Sequence, residues 1–299
     1  MSHLLSDTAR NRQIGIALVT ATTIMFAVLD TSAKWLVQTL PVVQVVWLRF
    51  LVHTILTAVM FMPSMGARLF VVSNPRLQLL RGVMLALMTG LNFFALQYLQ
   101  LAETGAVQFS VPILIALISA WLLYERLDAK RWIAIGVGFL GVLVIIRPGS
   151  HGFHPAIFLS IMNACLYAGF NLMTRRLASS DHPIVTQWAS AAVPAFLLAP
   201  FALWQWQSPD GWLTWLIILA TGLSGGLGHM ASAVAHRYAT AAVLGPFLYQ
   251  QIIYMTLGGW LVFGQIPDQA VALGACIVVL SGLYLLWREF RKTDNPTLT

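Results

Sequence analysis

The chain has 299 residues, 59% of them hydrophobic and only 9% charged, with a mean hydropathy of +0.78. So little polar surface cannot cover a water-soluble domain, which excludes a soluble globular protein and leaves the lipid bilayer as the solvent. The formal net charge of +7 is scattered over alternate loops without a contiguous basic stripe, which excludes a nucleic-acid partner and points to membrane orientation and anionic lipid.

A helix needs roughly 20 apolar residues to cross a bilayer. The apolar runs then predict ten spans at 14–33, 42–62, 78–98, 104–124, 131–147, 155–174, 184–203, 212–235, 240–263 and 269–287. Breaker residues punctuate them: Pro41, Pro63, Asn74-Pro75, Arg147-Pro148-Gly149, His182-Pro183, Ser208-Pro209-Asp210 and Pro267-Asp268. The first run lacks a small-residue cleavage pattern and reads as a retained helix. Cys165 and Cys276 fall within apolar runs, where they read as small buried hydrophobes. Trp35, Trp132, Trp204, Trp206, Trp212 and Trp287 lie near span ends and read as an interfacial belt.

Lys and Arg concentrate on cytoplasmic loops, so their placement tests the span count. With the N-terminus inside, ten crossings put 14 basic residues inside, Arg81 among them, leaving Lys34 and Arg147 outside and Arg49 within a span. Nine or eleven spans would strand the C-terminal cluster Arg288, Arg291 and Lys292 on the wrong side.

The two halves repeat. Phe26-Ala27, Asp30 and Lys34 parallel Tyr167-Ala168, Asn171 and Arg175 at an offset of 141, and Pro41 parallels Pro183 at 142. Asn92 parallels His229, and Ala102 parallels Ala239, at 137, while Glu125-Arg126-Leu127 parallels Gln265-Ile266-Pro267 at 140. Five spans per copy would insert the second copy upside down. The expected fold is therefore an all-α integral membrane protein of ten transmembrane helices in two inverted repeats, residues 1–149 and 150–299, with both termini cytoplasmic.

Ionisable side chains inside a span are costly and usually face the bundle interior or a wet cavity. Arg49 lies eight residues beyond Pro41, about 12 Å along the axis at 1.5 Å per residue, near the middle of a core about 30 Å thick. It reads as bundle-facing, with snorkelling to the headgroups as the competing reading. Asp30 and Lys34, four apart with the acid first, suit a surface ion pair; Asp30 equally suits a cavity wall that binds an ammonium group, opposite Asn171. Asn92 and His229 read as substrate hydrogen-bonders or as helix-to-helix glue, and His53 as a packing histidine.

Pro112 and Gly245-Pro246 interrupt the fourth and ninth spans, where a proline frees a carbonyl and permits a bend. Nearby Gln108, Tyr249, Gln250 and Tyr254 would add hydrogen bonds, and Phe93, Phe94, Tyr98 and Tyr167 ring faces. The glycines Gly222, Gly225, Gly226 and Gly228 suit close helix approach or a sliding surface. No nucleotide-binding loop, zinc-spaced histidine pair or nucleophile elbow is present, so neither an enzyme nor a cofactor or metal is expected.

Two stretches carry a family likeness. One is Ala242-Val243-Leu244-Gly245-Pro246-Phe247-Leu248-Tyr249-Gln250 with Phe263-Gly264-Gln265-Ile266-Pro267-Asp268, Gly274 and Ser281-Gly282-Leu283-Tyr284. The other runs from Ala102 through Pro112, Tyr124-Glu125-Arg126-Leu127, Arg131-Trp132, Gly136, Gly141 and Arg147-Pro148-Gly149. Together they resemble the ten-helix EamA type of the drug/metabolite transporter superfamily, and within it the YddG-like exporters of aromatic and other neutral amino acids. Gln265 stands where that family usually has Glu. The resemblance implies a bacterial inner-membrane carrier working by alternating access, with substrate held by spans one, three, four, six, eight and nine. The expected partners are the bilayer and a small molecule, an amino acid or a similar metabolite; a nucleoside, a vitamin or an amphipathic drug is the alternative, and a channel a weaker one. A self-contained repeat pair can work as a monomer.

Overall fold

The computed structural model describes residues 8–111, 113–114, 117, 129–147, 153–177, 181–239 and 241–294. Among these, the chain forms helices α1 (Ala9–Leu36), α2 (Val42–Met65), α3 (Pro75–Leu96), α4 (Leu101–Gln108), α5 (Ala129–Ile146), α6 (Ile157–Leu177), α7 (Pro183–Trp204), α8 (Gly211–Tyr238), α9 (Ala241–Leu248), α10 (Gln251–Phe263) and α11 (Gln269–Asp294). A short 3-10 turn, Gly66–Phe70, follows α2.

The helix ends follow local chemistry. Thr8 caps α1 through Oγ1, which accepts from the Asn11 N–H. Pro75 and Pro183 open α3 and α7 at positions where a missing N–H costs nothing, with Asn74 Oδ1 and His182 Nδ1 accepting from the next free amides. Gly264 ends α10 in the left-handed region at φ 62°, so its N–H can return to the Trp260 carbonyl.

Among the described residues, five helical stretches are long and apolar enough to cross a membrane: Ala9–Leu36, Val42–Phe70, Pro75–Leu96, Pro183–Trp204 and Gly211–Tyr238. Trp132–Ile146, Ile157–Phe170 and Gln269–Leu285 are shorter apolar helices. The ninth expected span is two helices, α9 and α10, broken at Tyr249-Gln250, one turn later than Pro246 alone suggests. A matching turn at Phe109-Ser110 ends α4, and the Phe109 and Tyr249 rings meet with centroids 5.1 Å apart.

Helix packing has a regular plan. α1 lies along α8 and α3 along α6; α2 crosses α7 and α8, and α7 crosses α3; α5 pairs with α11, α4 with α6 and α10, and α1 with α9 and α10. Exchanging the first five expected spans for the last five turns α1·α8 into α6·α3, and α2·α8 into α7·α3. The same exchange leaves α2·α7 and α5·α11 unchanged.

The main core forms where α1, α2 and α3 converge, around the fully buried Leu36, Phe50, Phe93, Leu96 and Leu101; a second lies between α5 and α11 around Val142, Ile145 and Val278. Large apolar side chains also cover the outer faces, including Val59, Phe139, Phe196 and Leu261, as expected of a surface whose solvent is lipid. Among the described large apolar residues Trp204 and Trp212 are the most exposed, at 82% and 77%, where α7 ends and α8 begins. Cys165 and Cys276 are on exposed faces too, which corrects the expectation of burial.

Candidate functional site

Within these apolar helices lies a cluster of ionisable and polar side chains. Asp30 of α1 accepts from the Asn92 amide of α3 at 2.9 Å. Arg49 of α2, 4% exposed, donates through Nη1 to Thr89 Oγ1 of α3 at 2.9 Å, and its guanidinium lies over the Phe50 ring. It acts on Asp30 electrostatically without bonding to it. One turn along α2, His53 is fully buried, with Nε2 3.1 Å from the Gln187 amide nitrogen of α7. The His53 ring stacks on His229 of α8 at 6.0 Å, and Phe26 of α1 meets His229 edge-on at 4.9 Å.

The glycine stripe allows this convergence. A Cβ at Gly222 would fall on the Val52 side chain and 3.1 Å from the Arg49 carbonyl, and one at Gly228 would lie 2.8 Å from Phe26. Bare backbone thus lets α1 and α2 approach α8 closely enough to bring Asp30, Arg49 and His229 together.

Arg81 extends the cluster on the other side. Counted among the inner basic residues, it is 7% exposed within α3, lies over Phe170 of α6 at 4.3 Å and donates to Ser190 Oγ of α7. Arg49, His53 and Arg81 all act electrostatically on His229.

A second polar group follows the broken helices. Gln250 donates to Thr20 of α1 at 2.9 Å, and Asn163 of α6 to Gln108 at 3.4 Å. Tyr249 is buried against Gly282.

Lys34 does not pair with Asp30. Its ammonium donates to the Leu96 and Leu99 carbonyls at 2.8 and 2.6 Å, capping the C-terminal end of α3, where free carbonyls and the helix dipole favour a cation. The surface ion pair expected from the four-residue spacing is therefore replaced by a buried clamp between α1 and α3.

Other expected residues lie apart from the cluster. Tyr98 is 61% exposed and stacked on His154, and Phe93 is core. Gly245 and Pro246 lie within α9, Pro112 falls outside the described residues, and Asn171 is on α6 with its side chain outside them. Spacing alone did not flag Thr89, Gln187 or Arg81. The only available signal was a polar residue inside an apolar run.

Loop contacts fix both ends. Asp181 accepts from the Ser73 backbone at 2.7 Å and the Gln78 amide at 2.9 Å. Burial works to raise its pKa, but hydrogen bonds from Gln78, Ser73 and Asn74 outweigh it and hold the carboxyl below the usual 3.8. Arg147, itself at φ 46°, pairs with Asp268 at 2.5 Å. The Val271 backbone N–H first, and then Arg147, hold the Asp268 carboxyl low against the effect of burial.

Residues 13–147 match the model of the EamA-like transporter family. A riboflavin transporter of Vibrio cholerae is 32% identical over 192 residues, an alignment spanning 63% of this chain and 63% of that protein. An S-adenosylmethionine uptake transporter of Rickettsia felis is 24% identical over 95% of this chain and 96% of its own. A pseudopaline exporter of Pseudomonas aeruginosa is 26% identical over 91% and 95%. One crystal structure superimposes with a TM-score of 0.63 over 97% of this chain and 100% of that one, at 20% identity, a likeness of fold alone.

Proposed function

We propose that this chain, whose residues 13–147 match the EamA-like transporter family, moves a small metabolite across the membrane by alternating access between its halves, 1–149 and 150–299. It is a multi-pass protein of the bacterial inner membrane. The observation that carries the mechanism is the Asp30–Asn92 and Arg49–Thr89 pairing deep among apolar helices. Charges are retained at such a depth where they serve a substrate or ion path. An exchange-symmetric packing plan and facing breaks at Phe109 and Tyr249 support ten spans with cytoplasmic termini and a substrate held between two inverted copies.

Two relatives are named for riboflavin and S-adenosylmethionine, both of which carry planar heterocycles. The rings of Phe26, His53 and His229 suit a planar group. They favour a ring-bearing metabolite of the vitamin or nucleoside kind over amino-acid export in particular. A neutral aromatic amino acid is the second reading, favoured by Asp30 as an acceptor for an ammonium group.

The test is flux of labelled riboflavin, S-adenosylmethionine and phenylalanine in proteoliposomes, with and without a pH gradient. Saturable flux of one of them, reduced at least about tenfold in Asp30→Asn, is expected if Asp30 contributes a charged hydrogen bond to the substrate. Gradient-insensitive flux identifies a facilitator. Flux of none, or of all without saturation, ends the proposal.

A further inference from the structure

The α5·α11 pair closes tightly at one place and parts at another. A Cβ at Gly141 would lie 2.9 Å from Val278 and 3.0 Å from the Gly274 carbonyl, so the two backbones approach closely there. Towards the start of α5 they part around a groove of about 340 Å³, walled by Ala134 and Val137 of α5 and by Leu280 and Tyr284 of α11, with Lys130 at its mouth. Its walls face outward and are apolar: Ile133 and Leu280 are 65% and 61% exposed. Ser281 Oγ, which also lines it, is already engaged, donating to the Ala134 carbonyl at 2.6 Å. Such walls would leave a polar solute without partners and suit a hydrocarbon chain.

The mouth of the groove has a different chemistry. Lys130 is exposed in the first turn of α5, and Tyr284 reaches the groove from α11, its ring 5.9 Å from that of Trp287. Trp132 and Trp287, both about half exposed, mark this level as the boundary between membrane and water. Beyond it α11 continues through Arg288, Arg291 and Lys292. Val137 lies about 10 Å along the axis from Lys130, so the groove runs from the headgroup level down into the hydrocarbon. On the two-copy reading, the offset of 140 that relates the turns at Glu125 and Gln265 matches Lys130 to Ala270 and Tyr284 to Val144. The counterpart of this mouth on the opposite face therefore carries neither polar group.

We infer that this groove holds an anionic glycerophospholipid, with one acyl chain between Ile133, Val137 and Leu280 and the phosphate at the Lys130 ammonium and the Tyr284 hydroxyl. A cation fixed at the headgroup level above an apolar slot selects for lipid charge, which a plain outer helix face does not. The α5·α11 core is separate from the core around Asp30 and Arg49, so the assignment does not depend on which metabolite is carried.

The experiment titrates the purified, delipidated chain in detergent with phosphatidylglycerol and with phosphatidylcholine of the same acyl chains, and reads the first bound lipid by native mass spectrometry. Phosphatidylglycerol is expected to bind about fivefold more tightly, the scale of one lysine at a membrane surface. Lys130→Gln should remove that preference, and because the side chain is exposed the variant changes charge without disturbing packing. Val137→Trp should fill the groove and weaken both lipids. Arg76→Gln, which removes an exposed basic residue at the start of α3, should keep the full preference. Equal binding of the two lipids overturns the assignment, as does a preference that survives Lys130→Gln. An equal loss in Arg76→Gln would show diffuse surface charge in place of a site, and glycerol 3-phosphate binding as tightly as the lipid would show a free-phosphate site; either overturns it too. The wild-type and Lys130→Gln titrations decide the matter even where Val137→Trp fails to fold.

Discussion

Replacing Lys34 by Met tests how the first and third helices are held together. The side chain is 4% exposed, and its ammonium bonds two carbonyls at the end of α3. Methionine fills the same volume but donates nothing, so the Leu96 and Leu99 carbonyls stay desolvated without a partner. Each charge-assisted hydrogen bond is worth about 1.5–3 kcal/mol, and relief of the buried ammonium offsets part of the loss, leaving a net destabilisation of about 2–4 kcal/mol. At about 2–4 °C per kcal/mol for a chain of this order, the thermal midpoint in detergent should fall by about 4–16 °C. The decisive control is a double-mutant cycle with Asp30→Asn. A clamp that bypasses Asp30 predicts effects additive to within about 0.5 kcal/mol, whereas an Asp30–Lys34 ion pair predicts coupling well above it. A midpoint shift under about 1 °C, or strong coupling, would refute the clamp.

Two further expectations use the same thermal assay. Gly222→Ala drives its methyl into Val52 and toward the Arg49 carbonyl and should cost about 1–3 kcal/mol, whereas Gly90→Ala, with nothing within 4 Å, should stabilise α3 by about 0.5–1 kcal/mol; equal effects would show that the stripe does not pack as described. Asp181 titrates below its unfolded value, so its stabilisation is fully present above pH 3.8 and is lost as the pH falls through the lower folded value. Asp181→Asn should therefore be less stable than wild type at pH 7, with the gap closing only below pH 3.8; a gap that closes nearer neutrality would contradict the hydrogen-bond assignment.

Much of the scaffold was legible because it is local chemistry. Pro75 and Pro183 mark helix starts through their own missing amides, and the long apolar runs of α1, α2, α3, α7 and α8 needed only length and composition. What could not be read was contact across distance. The four-residue spacing of Asp30 and Lys34 suggested a local pair, but the partners of Lys34 lie 62 and 65 residues away. Arg81 was counted only as an inner basic residue, because orientation counting reads charge and not contact. Its burial depends on Ser190 and Phe170, contributed by α7 and α6. The second and seventh spans went unassigned to the site for the same reason, since Thr89 and Gln187 gain meaning only opposite Arg49 and His53.

On the two-copy reading, the halves share a plan but not a chemistry, and the difference bears on energetics. The offset of 137 that matches Asn92 to His229 sets Gly222, Gly225 and Gly226 of α8 against Leu85, Met88 and Thr89 of α3. The α8 face is bare and admits α1 and α2, while Leu85 and Met88 of α3 are buried core side chains. A seam closed over glycine backbone and a seam closed over Leu and Met cannot have equal packing energy, because close packing makes interiors sensitive to single methylenes. Exchange between the access states is then biased toward one of them in the empty carrier. A substrate can reverse that bias only by its differential affinity for the two states. Among the charged groups proposed to face the substrate, Arg49 comes from the first copy and packs on Gly222 and Gly225, the glycine-lined seam of the second. On the proposed mechanism, binding there would act on the interface whose opening the cycle requires.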